Sequence, residues 1–305
     1  MYFTKALVTG GSGFIGSHLV DLLIDKGVAV TVIDKDEPKY RNAKATYVIQ
    51  DIRQEGLREI FTESKPEIVF HLAADIDDRA SVNDPITNAD HNVMGSLKVL
   101  EAARSSGVKK IVFSSTCAVY GIPAKLPITE KQLPAPRTPY GLSKFAIEHY
   151  LNFYQNLHQL PSVALRLANV YGPRQDGSKE SVAISVFTSK LLAGEAPFLN
   201  DDGQTVRDYI HVSDVVNAFV LAAESDKTGV YNVGTKVGTT TRDLHALIAS
   251  ELGSVLEPLA RPEVIDAVKA VILKSIKAKK ELGWKPKTRL ARGLKQTLKW
   301  YKSQV

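Results

Sequence analysis

A short apolar run, Ala6–Thr9, breaks off into Thr9-Gly10-Gly11-Ser12-Gly13-Phe14-Ile15-Gly16 and then into Ile15–Asp25, where Ile15, Leu19, Leu22 and Leu23 share one helical face. A strand that turns on glycines straight into a helix is the opening of a βαβ unit, and few folds can be built around it. Gly10 permits the tight turn, Gly13 lets the backbone approach a pyrophosphate, and Gly16 lets helix and strand pack closely. The orphan N–H groups and dipole of the following helix favour negative charge at that point.

The rest of the first half keeps the same rhythm. Strand-length apolar runs at Val30–Ile33, Thr46–Ile49, Ile68–Leu72, Ile111–Ser114 and Val163–Leu167 alternate with helical stretches at Leu57–Glu63, Val93–Ala103 and Tyr140–Leu157. The runs are apolar throughout, as strands are when helices cover both faces of a parallel sheet. Right-handed crossovers then give a Rossmann-type α/β fold, a doubly wound parallel sheet with its ligand at the carboxyl ends of the strands. After about residue 170, Pro173, Gly177, Pro197 and Gly203 shorten the pieces. Helices are expected near 181–193, 213–224, 240–252 and 290–301. The expected organisation is a cofactor-binding domain over residues 1–170 and a smaller α/β substrate-binding region over 171–305, some of whose segments return to the main sheet. The proline-rich stretch 123–139 reads as a surface loop.

Composition excludes several classes. The longest apolar runs, such as 28–33, are far too short to span a bilayer, and no leader-like segment opens the chain, so a cytoplasmic protein without membrane association is expected. One cysteine, Cys117, cannot form an internal disulfide, and His71, His91, His149 and His211 are scattered, so no metal site is expected. The net charge of +6 is local: residues 257–305 hold 13 Lys+Arg against 4 Asp+Glu, leaving 26 against 29 elsewhere. Those lysines are not interleaved with aromatics, which argues for a solvated helical face and against nucleic-acid binding.

Asp34 ends the second strand, 18 residues after Gly16. A carboxylate there accepts from the ribose hydroxyls of NAD and repels the 2′-phosphate of NADP, so NAD is the expected cofactor. Asp51, close after the third strand, falls on the same sheet edge. Tyr140 and Lys144 stand at i and i+4 on one helical face. A phenol with an ordinary pKa near 10 is a poor base at pH 7, and a neighbouring ammonium together with an oxidised nicotinamide should lower it.

These motifs, with DIR (51–53), HLAA (71–74), HNVMGSLKVLEAA (91–103), VFSSTCAVYG (112–121), PYGLSK (139–144), LRLANVYGPR (165–174), VRDYIHVSDVVNA (206–218) and KAKKELGWKP (277–286), resemble the extended short-chain dehydrogenases/reductases of the nucleotide-sugar epimerase and dehydratase branch, almost end to end. The resemblance implies that Gly10, Gly13, Phe14, Ile15 and Gly16 line the NAD pyrophosphate. It likewise sets Asp34 on the adenosine ribose, Asp51 and Ile52 at adenine, Leu72, Ala73 and Ala74 beside the cofactor, and Asn92 in its support. Thr116, Tyr140 and Lys144 would be the catalytic set, with Tyr140 and Lys144 also touching NAD and Thr116 the sugar. Asn169 and Arg207 would bind the substrate diphosphate. As residues alone, Asn92 reads equally as a helix-start cap and Asn169 as a turn former.

Dehydratases of this branch carry Asp-Glu directly after the Ser/Thr. Here Cys117-Ala118 stands there, which leaves oxidation, rotation and re-reduction at C4 of a nucleotide-diphosphate sugar, a UDP-hexose first among candidates, through a 4-keto intermediate. The rival readings are a sugar reductase or dehydrogenase that releases its cofactor each turn, and a non-enzymatic nucleotide- or RNA-binding regulator. The family's Arg-x-x-Asp clamp is reduced to Arg261-Pro262-Glu263-Val264, which keeps only Arg261 as a substrate-binding candidate. Asp75, Asp77 and Asp78 crowd the end of the HLAA stretch, and Asp75 or Asp77 is expected to meet the sugar. A homodimer through helices 91–106 and 140–157 is expected by resemblance.

Overall fold

The computed structural model describes residues 2–176, 183–262 and 268–304. The first half runs β1 (Lys5–Thr9), α1 (Phe14–Asp25), β2 (Ala29–Asp34), β3 (Thr46–Ile49), α2 (Leu57–Ser64), β4 (Ile68–His71), α3 (Asp78–Asn83), α4 (Pro85–Ala89), α5 (Gly95–Ser105), β5 (Lys110–Thr116), α6 (Pro139–His158) and β6 (Ser162–Leu167). The second half adds β7 (Asn169–Tyr171), α7 (Ala183–Leu192), β8 (Phe198–Asn200), β9 (Val206–His211), α8 (Val212–Glu224), β10 (Gly229–Val233), β11 (Gly238–Thr240), α9 (Thr241–Leu252), β12 (Leu259–Arg261), β13 (Ala270–Val271), α10 (Ile276–Glu281) and α11 (Leu290–Lys302).

Seven parallel strands in the order β10-β6-β5-β4-β1-β2-β3 form the main sheet. Its strands bury alternate residues on opposite faces. Ala6, Val8, Phe70 and Val112 pack with Leu19 and Leu23 of α1 and Phe219 of α8. Leu7, Val69, Ile111 and Phe113 pack with Phe61 of α2, Leu100 of α5 and Leu151 of α6. Covering both faces explains the unbroken apolar runs. The strand order reverses between β1 and β4, and such a switch point opens a crevice at the carboxyl edge.

The second sheet is built around β9, with β11 antiparallel on one side and β13 and β7 parallel on the other, while β8 and β12 form a separate parallel pair. A third apolar cluster, with Phe187, Tyr209, Leu244, Ile248, Leu294 and Leu298, joins α7, α9 and α11 to this body. Arg292, Lys295, Lys299 and Lys302 lie on the exposed side of α11. No described helix is long and apolar enough to cross a membrane.

Three segments differ from the sequence reading. The helix expected at Val93–Ala103 belongs to a longer run from Pro85 to Ser105, wound as π-helix over Asp90–Met94, so Asn92 sits inside a helix and is not a start cap. The 123–139 stretch is not simply a surface loop: Ile128 is buried and bridges to Leu273, and the Asn232 amide donates to its carbonyl at 3.0 Å. The helix expected near 181–193 is observed from Ala183, its first positions lying outside the described residues.

Candidate active site

One continuous cleft of about 1780 Å³ runs along the carboxyl edge of the main sheet into the second body. A single small ligand usually occupies about 300–1,000 Å³, so this space suits two ligands end to end. At the switch point Gly10 has φ +72°, and a Cβ there would lie 2.6 Å from the Ala73 nitrogen, so this turn and the Leu72–Ala74 segment approach backbone to backbone. A Cβ on Gly16 would fall 2.1 Å from the Gly10 carbonyl oxygen, which is the close helix–strand packing expected of that position. Gly13 has open space where its side chain would be, apart from the Gly10 oxygen at 3.3 Å.

These features fit a dinucleotide. The first turn of α1 has no side-chain cap, so its N–H groups remain for a ligand. The Ser12 hydroxyl is buried with no partner. Gly10, Gly13, Phe14, Ile15, Gly16, Asp34, Asp51, Ile52, Leu72, Ala73 and Ala74 all line the cleft. The Ser12 N–H donates to Asp34 Oδ2 at 2.9 Å and the Asp36 N–H to Oδ1 at 3.2 Å, while burial pushes the Asp34 carboxyl above its ordinary value. Asp51 is paired with Arg53 at 2.7 Å, whose guanidinium holds the carboxyl down at about 2.

Thr138 caps α6 and Pro139 occupies its first turn, which fixes where Tyr140 and Lys144 project. Thr116, Tyr140 and Lys144 all line the cleft. The Thr116 side chain lies beside the Tyr140 phenol and favours its ionised form. Lys144 Nζ donates to the Ser114 carbonyl at 2.9 Å and lies 4.7 Å from the centre of the Phe113 ring. Electrostatics here run against the sequence expectation. Burial pushes the Tyr140 phenol upward and brings the Lys144 ammonium down to about 7, because both charged forms lose more hydration than they gain from neighbours. Asp75 and Asp78 push the phenol further up.

Behind the cleft wall lies a buried chain that spacing alone did not reveal. His71 meets the Thr9 hydroxyl at 2.6 Å through Nδ1 and the Ser96 hydroxyl at 2.8 Å through Nε2, and burial lowers it to about 3, so the ring is neutral. Asn92 is not on the cleft surface. Its carbonyl oxygen accepts from the Asp75 N–H at 2.7 Å, and its amide donates to the Asp75 carbonyl at 2.9 Å and to Ser143 Oγ at 3.0 Å. It ties the Asp75 segment to α6.

In the second body, Asn169 and Arg207 line the cleft on neighbouring strands, and burial lowers the guanidinium of Arg207. Arg261 also lines it; it is exposed, and its guanidinium lies 3.7 Å from the centre of the Phe198 ring. Glu263 and Val264 lie outside the described residues. Asp75 and Asp78 line the cleft, whereas Asp77 caps α3 through the N–H groups of Arg79 and Ala80, so of the pair expected to meet the sugar it is Asp75 that the cleft presents. Cys117 also lines the cleft, its thiol pushed up to about 11 by burial. Lining residues that sequence reasoning missed include Phe187, Lys190, Leu199 and Tyr209. Leu199 stands on a three-residue strand, while Phe187 and Lys190 on α7 and Tyr209 on β9 reach the cleft only through the tertiary fold, which no local pattern marks. Among the described residues no cluster could hold a metal ion.

Comparison with known proteins matches residues 6–234 to the model of the NAD dependent epimerase/dehydratase family. The UDP-glucose 4-epimerase of Mycolicibacterium smegmatis is 40% identical, covering 98% of this chain and 99% of its own. A crystal structure of UDP-glucose 4-epimerase from Thermotoga maritima with UDP-glucose superposes with a TM-score of 0.96 at 42% identity, covering 99% of both chains. The Thermus thermophilus UDP-glucose 4-epimerase in complex with NAD gives 0.94 at 37% identity, covering 99% of this chain and 100% of its own.

Proposed function

The chain belongs to the NAD dependent epimerase/dehydratase family and is an NAD-dependent nucleotide-sugar 4-epimerase, and from that premise we propose which of its residues perform the reaction. Gly10, Gly13, Phe14, Ile15 and Gly16 hold the dinucleotide's phosphates, Asp34 its adenosine ribose, and Asp51 and Ile52 flank the adenine. Leu72, Ala73 and Ala74 run beside it, with Asn92 bracing that segment from behind. When bound, NAD supplies a reversible hydride acceptor next to the sugar C4.

Tyr140 is the proton-transfer group. It takes the proton of the sugar 4′-hydroxyl, directly or through Thr116, and returns it to the same oxygen when the sugar is restored. Burial sets the phenol high, so it stays protonated at neutral pH and the base form is scarce until cations gather beside it. Lys144 and the positive ring of the oxidised cofactor favour the phenolate. Asn169 and Arg207 hold the diphosphate throughout, so the 4-keto sugar is anchored by its nucleotide end alone and its ring turns over without leaving the cleft. Cys117 and Ala118 offer no proton relay to C5 or C6, which keeps the chemistry at C4.

The observation that carries this assignment is the meeting of Thr116, Tyr140 and Lys144 in the same cleft as the glycine turn, with Lys144 one helical turn from Tyr140. Replacing Tyr140 by Phe should abolish interconversion, a fall of at least about 10²-fold as for loss of a general acid–base, while NAD remains bound. Retained turnover would reject the assignment. The substrate we infer is a UDP-hexose, supported by the UDP-glucose held in the Thermotoga maritima relative, with Arg261 reaching its nucleotide end.

We also infer a homodimer. On α6 the exposed Leu142, Tyr150, Phe153 and Leu157 form one stripe, next to exposed Ile86 and Met94 on the helical run before it.

A further inference from the structure

Arg174 follows the turn after β7 and has φ +69°, a left-handed conformation that strains a residue with a side chain. Three contacts hold it there. The preceding Pro173 carbonyl accepts from His18 Nε2 of α1 at 2.9 Å. Arg174 Nη2 pairs with Asp21 Oδ2, also on α1, at 2.8 Å. Its guanidinium lies over the Tyr40 ring at 5.2 Å. The other amino group, Nη1, is buried and has no partner, on a residue that lines the cleft together with Ser12 and Gly13. A strained arginine that keeps one buried donor unused calls for an acceptor.

The same carboxylate holds the opposite wall. Asp21 Oδ1 accepts from the Asn42 amide at 2.8 Å, fixing the β2–β3 loop that carries Tyr40. Tyr40 in turn meets the edge of Trp300 on α11, with ring centres 6.1 Å apart. The next residue of α11, Tyr301, donates its hydroxyl to the Gln175 carbonyl at 2.6 Å, so the helix grips the Arg174 loop from its far side. Three segments remote in sequence therefore meet over α1, whose N-terminus opens the phosphate site.

We propose that Arg174, Tyr40 and Trp300 form a clasp across the dinucleotide arm of the cleft, with Arg174 Nη1 donating to the diphosphate of the bound cofactor. The clasp rests on the reading that this arm holds NAD. Asp21 aims the guanidinium and removes part of its competing charge, and the aromatic pair closes the loop over it. Cofactor leaves only when the Tyr40 loop parts from α11, so an enzyme that must return its own hydride keeps its NAD between turnovers.

The test compares the wild-type protein, Arg174→Gly and Trp300→Ala, each saturated with NAD and passed into cofactor-free buffer containing excess ADP-ribose, with released NAD followed over time. Glycine adopts the left-handed conformation without strain, so Arg174→Gly removes the guanidinium, with its Asp21 and Tyr40 contacts, while keeping the backbone turn. Trp300→Ala attacks the clasp from another element, and Trp300→Phe, which keeps an aromatic edge, should release more slowly than Trp300→Ala. Release at least tenfold faster in Arg174→Gly and Trp300→Ala is expected. UDP-sugar interconversion by the wild-type protein is measured in parallel. Wild-type turnover with unchanged release in both variants overturns the clasp and leaves the epimerase intact. Absent wild-type turnover with accelerated release in the variants upholds the clasp and removes only the epimerase reading.

Discussion

At the scale of single residues, Tyr140 and Lys144 show what spacing can and cannot reveal. Their i and i+4 placement on a helix was legible, because a helix holds that relation wherever it lies. Their protonation was not, because desolvation depends on what covers them, and α6 is covered by strands far away in sequence. Burial holds Lys144 near 7, below its ordinary 10.5. Between those values the unfolded chain binds more protons than the folded one, so this residue's contribution to stability increases as pH rises through the window, by at most about 1.4 kcal/mol per unit. Below pH 7 the full cost of a buried ammonium is present. Lys144→Met carries no such term. Its melting temperature should exceed that of the wild-type protein at about pH 6, and the gap should shrink as pH approaches 10, with catalysis lost throughout. A pH-independent difference would contradict the buried-ammonium account.

At the scale of elements, the catalytic helix is tied to the sheet by an ion pair. Arg166 on β6 and Glu148 on α6 meet at 2.5 Å, both almost fully buried, and Ser115 on β5 donates to the same carboxylate. Glu148 stands one turn beyond Lys144, and Ser115 immediately precedes Thr116, so this knot sets the distance between the two sides of the proton-transfer site. Glu148→Ala leaves a buried guanidinium uncompensated and should cost about 3–5 kcal/mol in denaturant unfolding, whereas Glu148→Met combined with Arg166→Met should recover most of it. Recovery of stability without recovery of rate would identify the pair as an alignment device; equal losses in the single and double variants would refute this. Apart from its edge strand β10, which no apolar run announced, the sheet that carries the knot was readable within a residue or two, because two-sided strands leave unbroken apolar runs. The second body was not. Its strands, such as β7, β11 and β13, have two or three residues, too few for any period, and their shared partner β9 collects them from three separate places. Nor did any local pattern announce the π-wound turn at Asp90–Met94 that puts Asn92 behind the Asp75 segment.

At the scale of the whole molecule, the chain builds its cleft by folding back on itself. The first half supplies the glycine turn and the catalytic helix, and β10 and α8 of the second half return to the main sheet, so the second body is fastened on both sides of the site. That arrangement leaves α6 with one face against the sheet and another bare. Leu157 is 61% exposed and Phe153 51%, a stripe of large side chains that a helix otherwise keeps polar. Pairing of this stripe with its copy about a two-fold axis would bury it in a helical bundle, since a two-fold interface brings the same patch of both chains together. Both side chains are half or more exposed in the single chain, so Phe153→Glu combined with Leu157→Glu should leave the melting temperature of the protomer nearly unchanged. The same pair of substitutions would place four carboxylates face to face in a dimer. Sedimentation should therefore show the wild-type protein at twice the 33.4 kDa chain mass and the double variant at the chain mass. Because the cleft opens on the carboxyl edge of the sheet and its lining includes neither residue, a wild-type protein sedimenting as a single chain, or a double variant still paired, would refute α6 as the dimer contact without touching the assignment of the active site.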